Sequence, residues 1–254
     1  MSWAGERKAE YLFGAIGVIA VCILIFILLL PKSAPSCFDG KQNQGEQGID
    51  CGGPCARLCS DQYDAPQILW TRAVQLTTTG LYAALIYGEN SNFGAAAAQV
   101  PYSVKIYDSN NILLSSSVGV TDIPASHIFT VFIDGINLHD KAPARIDFAF
   151  TSSPVWQKSS APEQFITTTA TALSGTSTRP VLAATIHNSS LSDLNNVESV
   201  AILYDTNGNT VSFSKTLTDT VPAGGDANLI FTWPQAFSSA VVKIEIVSHV
   251  LSSN

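Results

Sequence analysis

Chemistry in this chain concentrates in one 23-residue stretch, CFDGKQNQGEQGIDCGGPCARLC, which holds Cys37, Cys51, Cys55 and Cys59. No cysteine occurs between Ser60 and Asn254. Four thiols so close together have two uses: zinc binding or disulfide formation. Zinc ribbons pair two C-x2-C knuckles a dozen or more residues apart. The spacings here are 13, 3 and 3 residues, and an even, clustered count reads instead as two disulfides. Sequence leaves all three pairings open. A bridge closing a loop of about 15 residues, such as 37 to 51, would stabilise by ~3 kcal/mol. Phe38, Ile49 and Leu58 are the only large apolar residues inside the stretch, too few for a core, so cross-links must hold it. Interleaved with the glycines lie Asp39, Asn43, Glu46 and Asp50. Carboxylates and amides on a tight loop are hard oxygen ligands, and these four are the candidate calcium set. The competing reading is a solvated loop of Asx-turns.

Elsewhere the chemistry thins out. The histidines are His127, His139, His187 and His249, and none sits in a metal or nucleophile motif. His139-Asp140 is a loop dipeptide, and Asn188-Ser189-Ser190 spells a glycosylation sequon after His187. No phosphate loop, HExxH or nucleophile elbow is present. Trp70, Trp156 and Trp233 read as core more readily than as a binding face. The net charge of −7 and 13% charged residues exclude a basic nucleic-acid surface. Anionic lipid is excluded as a ligand on the same ground. A non-enzymatic role is therefore expected, with no cofactor beyond calcium.

The elements that position the cysteine stretch begin with an apolar run. No charge occurs between Glu10 and Lys32, and fourteen of the twenty residues Tyr11–Leu30 are Leu, Ile, Phe or Val. Twenty helical residues span about 30 Å, the thickness of a bilayer core. The run predicts a retained transmembrane helix over 11–31, with residues 1–10 in the cytoplasm and the rest outside the cell. Pro31-Lys32-Ser33-Ala34-Pro35 is a poor signal-peptidase site.

Beyond Asp61 short strand-like runs recur with turn residues between them, the pattern of an all-β sandwich or barrel. They fall into two sets. LYAALIYGEN (81–90) aligns with VLAATIHNSS (181–190), and Tyr107-Asp108 with Tyr204-Asp205. Ile123-Pro124-Ala125 aligns with Val221-Pro222-Ala223, and Ile128-Phe129-Thr130 with Ile230-Phe231-Thr232. The last block pairs 144–148 with 242–246. This predicts two copies of one β unit, 65–156 and 163–254, joined by a proline-marked linker and preceded by a cysteine module over 37–60. Each copy is large enough for its own two-layer core.

Two resemblances attach to these motifs. The cysteine stretch resembles a C-x-D-G-x-x-N-x-x-E-x-G-x-D-C-G-G-x-C-x-x-C motif of secreted and surface bacterial proteins. Cys37, Asp39, Gly40, Asn43, Glu46, Gly48, Asp50, Cys51, Gly52, Gly53 and Cys55 match it, whereas Cys59 falls one residue late. The hairpins Val104–Asp108 and Ala201–Asp205 resemble the FxLYD type of bacterial immunoglobulin-like domain, without its opening Phe. Together they imply an all-β ectodomain of two tandem immunoglobulin-like sandwiches after one transmembrane helix and a disulfide-rich module. The implied role is non-catalytic binding, adhesion or spacing at the cell surface, toward an unidentified protein or surface polymer. The alternative is an accessory subunit of an envelope or secretion complex.

Overall fold

The computed structural model describes residues 3–29, 36–125 and 128–252. Its helix α1 runs Trp3–Leu29, with side chains described from Tyr11 to Phe26, all exposed. Among the described residues no helix is long and apolar enough to cross a membrane. That described stretch is 16 residues, short of the ~20 a bilayer core requires. Leu30, Pro31, His127 and the last two residues of the expected second unit lie outside the described residues.

The rest is mostly β. Among the described residues thirteen strands follow in chain order: β1 Gln67–Gln75, β2 Leu81–Glu89, β3 Ala95–Tyr107, β4 Leu113–Ile123, β5 Ile128–Asn137, β6 Arg145–Phe150, β7 Gln157–Lys158, β8 Ile166–Ser174, β9 Val181–Asn188, β10 Leu194–Tyr204, β11 Thr210–Val221, β12 Asp226–Thr232 and β13 Lys243–Val250. Most coincide with strand-like runs in the sequence. β3 opens with AAAAQVP, and alanine carries little strand signal, so its first part is not legible there. β7 is too short to show a period.

The strands form four sheets, β1-β2-β5, β4-β3-β6, β12-β9-β8 and β11-β10-β13. The first two share one core around Ile86, Ile106, Phe129 and Trp156. The other two share a second core around Ile186, Leu203, Phe231 and Trp233. Strand for strand the two halves have the same connectivity, with β1 to β6 answering β8 to β13. Ala84 pairs with Ile133 and Ala184 with Leu229, so β5 and β12 correspond six residues away from the expected Ile128/Ile230 match. Phe129 and Phe231 therefore fill their cores from different positions.

The halves repeat small devices as well as strands. Asp108 accepts the N–H groups of Asn110 and Ile112 at 2.8 and 2.9 Å, and Asp205 those of Asn207 and Asn209 at the same distances. Both are Asx-turns closing a hairpin. Gln99 and Asn196, 97 residues apart, both take positive φ, 52° and 54°.

The expected linker is more than a tether. Trp156 is 1% exposed in the first core, and Gln157 and Lys158 pair with Ala96 and Ala95.

Candidate functional site

The cysteine module pairs Cys37 with Cys55 and Cys51 with Cys59, an interlocked arrangement rather than two consecutive loops. Glycines make it possible. Gly53 has φ +55°, and a Cβ there would lie 2.2 Å from the Gly45 carbonyl. The four candidate calcium ligands lie in one network, with their oxygens facing donors. Asp50 accepts the N–H groups of Asp39 (3.0 Å) and Gly40 (2.9 Å). Asp39 accepts from Lys41 N–H and from the Asn43 amide at 2.8 Å, which lowers its carboxyl pKa, the Asn43 bond contributing most. Glu46, 6% exposed, accepts the N–H groups of Asn43 and Asp50 through Oε2. Its Oε1 lies 3.1 Å from Cys55 Sγ. Of these four residues, Asn43 has a buried oxygen, Oδ1, without a hydrogen-bond partner among the described residues. Each of the three carboxylates thus accepts at least one backbone N–H of the loop. Among the described residues, the one group close enough to ligate a metal is Cys37, Glu46 and Cys55, and its two sulfurs are bonded to each other.

The module is fastened to the first unit. Leu58 N–H donates to the Trp156 carbonyl and Lys158 N–H to that of Ala56, at 3.0 and 2.9 Å. Arg57 bridges to Gln157. Leu58 and Tyr63 pack against the first core, with the Tyr63 ring 5.8 Å from Trp156.

A second assembly lies between the two units. Ala83 and Leu85 of β2, Val200 and Ile202 of β10, and Phe213 of β11 form a third buried cluster. Trp70, Val74, Tyr87, Phe132, Tyr204 and Val247 pack around it. Side chains alternate along a strand, so Tyr82, Ala84 and Ile86 face the first core while Ala83 and Leu85 face out of it. In β10, Ala201 and Leu203 face the second core, and Val200 and Ile202 face out. Two sheet exteriors are thus pressed together, and the four sheets stack as layers β4-β3-β6, β1-β2-β5, β11-β10-β13 and β12-β9-β8. Polar groups frame the seam. Tyr87 donates to Glu245 at 2.6 Å and Tyr204 to the same carboxylate at 3.0 Å. Burial first, with Glu245 adding, holds both phenols above the ordinary range. Ser252 closes the seam, its N–H and hydroxyl both on Asp122, at 2.7 and 2.6 Å.

Clefts open between the units among the described residues. One, about 530 Å³, lies among Arg72, Gln75, Asp205, Asn209, Trp233 and Phe237. Another, about 250 Å³, is lined by Tyr102, Asp122, Thr130, Glu198, Lys215 and His249. His249 is 2% exposed. Burial lowers its pKa, against the opposing pull of Glu198 and Asp122. Glu198 is 3.1 Å from Lys215 and 3.6 Å from the His249 ring.

The remaining sequence candidates fall into structural places. His187 pairs with Asp226 at 2.7 Å on the surface, and no hydroxyl or thiol bonds to that ring among the described residues. Asn188 is fully buried. Its amide donates to the carbonyls of Ser192, Val221 and Pro222, so the sequon asparagine is not presented to solvent. Asn90 does the same in the first unit, donating to Ala95 and Pro124. Each also accepts the N–H two residues on, from Asn92 and Ser190. The sequence signal for this repeated clip was an Asn before each loop, obscured because the strand offset of 100 changes to 98 there. Trp156 and Trp233 are core, and Trp70 stacks on Tyr87 at 4.7 Å in the seam.

No family model matches the chain, and no curated protein does. Among solved structures it is similar to a red sea bream transglutaminase, at 11% identity over 75% of this chain and 32% of that one, TM-score 0.26. It is also similar to a beta-glucuronidase from glycoside hydrolase family 2, at 11% over 87% and 29%, TM-score 0.24. A Bacteroides uniformis beta-glucuronidase follows at 11% over 71% and 26%, TM-score 0.21. The chain spans about a third or less of these structures, and likeness at this level says nothing about activity.

Proposed function

We propose that this is a single-pass membrane-anchored protein of a bacterial cell surface. Its β-rich part, two tandem immunoglobulin-like sandwiches over 65–156 and 163–254, stands outside the membrane as a non-catalytic binding or structural block. The observation that carries this reading is the way the parts are joined. The cross-linked module is fastened to the first unit, and the first unit to the second by an apolar seam. Such coupling suits a block that holds a surface at a fixed orientation. The seam also changes what duplication means here, since units pressed side by side add width and rigidity rather than reach. Anchoring is supported by the charge-free run Tyr11–Leu30 and by its described apolar side chains all being exposed, which need a non-aqueous neighbour. Two disulfides suit an oxidising compartment for the β-rich part, which supports the reading with residues 1–10 on the cytoplasmic side.

The subunit alternative calls for an apolar strip on a free sheet face. The two free faces carry Lys105, Arg145 and Asp147 beside exposed Val118 and Val120 on one side, and Thr185, His187, Asp226 and Asn228 beside exposed Ile230 on the other; this mixture of charged, polar and apolar groups favours the free-standing reading. Cross-linking of intact cells followed by membrane fractionation tests it. The chain is expected in the membrane pellet after carbonate washing, linked to a surface polymer or to few proteins. Recovery in stoichiometric linkage with several envelope proteins would replace this reading with the subunit one.

A further inference from the structure

The most exposed large apolar side chains are unevenly placed among the described residues. Outside α1, the five most exposed among the described residues are Leu191 (99%), Phe38 (93%), Val118 (81%), Phe93 (74%) and Ile49 (62%). Val118 is in the middle of β4. The other four lie at one end of the block.

The hydrogen bonds fix that end. Asp39 N–H donates to Asp50, so the preceding residues Phe38 and Ile49 flank one contact in the module. Phe93 is in the β2–β3 loop, tied to the module side through Asn92 and Asp64, at 2.8 Å, and through Ser159 and Gly94. Leu191 holds the same place in the β9–β10 loop, since both follow the buried Asn by three residues. Ser189 N–H donates to Phe165 at the entry of β8, and Ser252 on Asp122 brings the corresponding ends of the two units together. The same loop position is therefore apolar and exposed in both units, although the loops read NSNFG and NSSLS.

We propose that this end rests on the bilayer that α1 enters, with Phe38, Ile49, Phe93 and Leu191 seated in a zwitterionic lipid interface. The proposal depends on the anchoring reading above. Cys37 follows Leu29 by eight residues, which span at most about 28 Å when fully extended. The module end is thus held near the membrane surface in any arrangement of that segment. Apolar and aromatic side chains partition into the interfacial layer, which adds several Å beyond the hydrocarbon core. The same end carries Asp39, Glu46, Asp50, Asp61, Asp64 and Asp193 against Lys41, Arg57 and Lys158, an acidic balance that selects neutral headgroups over anionic ones. Four separated contacts would fix the tilt of the block, which a single-pass helix and a short connection alone leave free.

The test uses the full chain reconstituted into phosphatidylcholine vesicles, with and without bromine on the upper acyl carbons. Phe38→Trp and Leu191→Trp each place one added indole at the proposed contact. Ile112→Trp places one beyond the Asp108 turn at the opposite end, where Ile112 is 53% exposed. Brominated lipid should reduce the added emission at least twofold at positions 38 and 191 and leave position 112 unchanged. Vesicles that float with the protein but quench none of the three would overturn the resting end and keep the anchor, and would point to a protein at this end instead. Protein that fails to float with vesicles would overturn both.

Discussion

The outer face of β11-β10-β13 and the outer face of β4-β3-β6 occupy the same place in two units of the same topology, yet one is buried and the other is wet. Tyr204, Lys243 and Glu245 of the second unit answer Tyr107, Arg145 and Asp147 of the first. Both rows keep an aromatic ring under a cation, with Lys243 4.9 Å from the Tyr204 ring and Arg145 4.2 Å from that of Tyr107. Arg145 also pairs with Asp147. The difference lies beside them. Pairing register sets Val200 against Ser103, Ile202 against Lys105, Phe213 against Ser116 and Val247 against Ala149. Four positions turn a solvated exterior into the seam. The other partner shows the same shift, since Leu85 and Tyr87 of β2 are answered by Thr185 and His187 of β9. A face-to-back contact of this kind is heterologous and could continue from molecule to molecule. The outermost faces mix Lys105, Arg145, Asp147, His187 and Asp226 with exposed Val118, Val120 and Ile230, and those charges oppose such continuation.

The strongest way to break the comparison is to give the seam the chemistry of its counterpart. Ile202→Lys with Phe213→Ser installs the residues found at the equivalent positions of the first unit. It should cost about 3–5 kcal/mol or more, from one lost aromatic side chain and one buried unpaired charge. Calorimetry of the parent should show one transition for both units. The variant should unfold at lower temperature and in two steps. An unchanged single transition would mean the seam contributes little to cohesion.

The neck distinguishes the units too, because only the first carries it. Removing the Cys37–Cys55 bridge with a double serine variant opens an 18-residue separation, worth about 3 kcal/mol in the chain-entropy model. Removing Cys51–Cys59, separation 8, should cost about 2.5 kcal/mol. Hydrogen exchange should rise around Trp156 and β7 in both variants and stay low in β9 and β12. Equal loosening of the second unit would show that the module supports the whole block.

The buried asparagines sharpen the comparison from the other side. Asn90→Ala and Asn188→Ala each strand buried carbonyls, at about 1–3 kcal/mol per group. Similar losses in denaturant midpoint are expected from the two, because the clips are equivalent. A loss confined to one would deny that equivalence.

Smallest are the titrations at the unit junction. Glu163 is 8% exposed, and burial raises its carboxyl pKa. The folded state therefore holds that proton more tightly. Its contribution is present below the ordinary 4.5 and is lost as pH rises through the folded value. Glu163→Gln should raise the midpoint at pH 7 by a few degrees, on the order of 2–4 °C per kcal/mol for this size, and leave it unchanged near pH 4. For His249 the sign is opposite in pH. A depressed imidazole resists protonation in the fold, so stability is full above 6.5 and declines as pH falls below it. A His249→Gln variant should lose this acid-side slope, and retention of the slope would assign it elsewhere.

Much of the architecture was legible in the chain. Strand runs, Asx-turns and the repeat depend on local periodicity and turn chemistry, which neighbours along the sequence carry. Asp108 and Asp205 were readable because their partners lie two to four residues away. The β5/β12 match was not, since Ile-Phe-Thr recurs with a similar composition in a different register, and hydrogen bonding to Ala84 and Ala184 decides the register. The acid residues of the module were legible as a group, but the backbone N–H groups they hold were not, because Asp50 reaches back to Asp39, eleven residues away.

By itself the sequence determined the element types, the duplication and the presence of a cross-linked module, since periodicity, spacing and cysteine count are properties of one chain segment at a time. The disulfide pairing, the clip formed by each buried Asn and the seam between units were decided only by the tertiary structure. The seam illustrates the physical reason. Tyr82–Tyr87 and Val200–Tyr204 are continuous apolar runs, which say that a strand is buried on both faces. They do not say what covers the second face, because that depends on which surfaces the fold brings together.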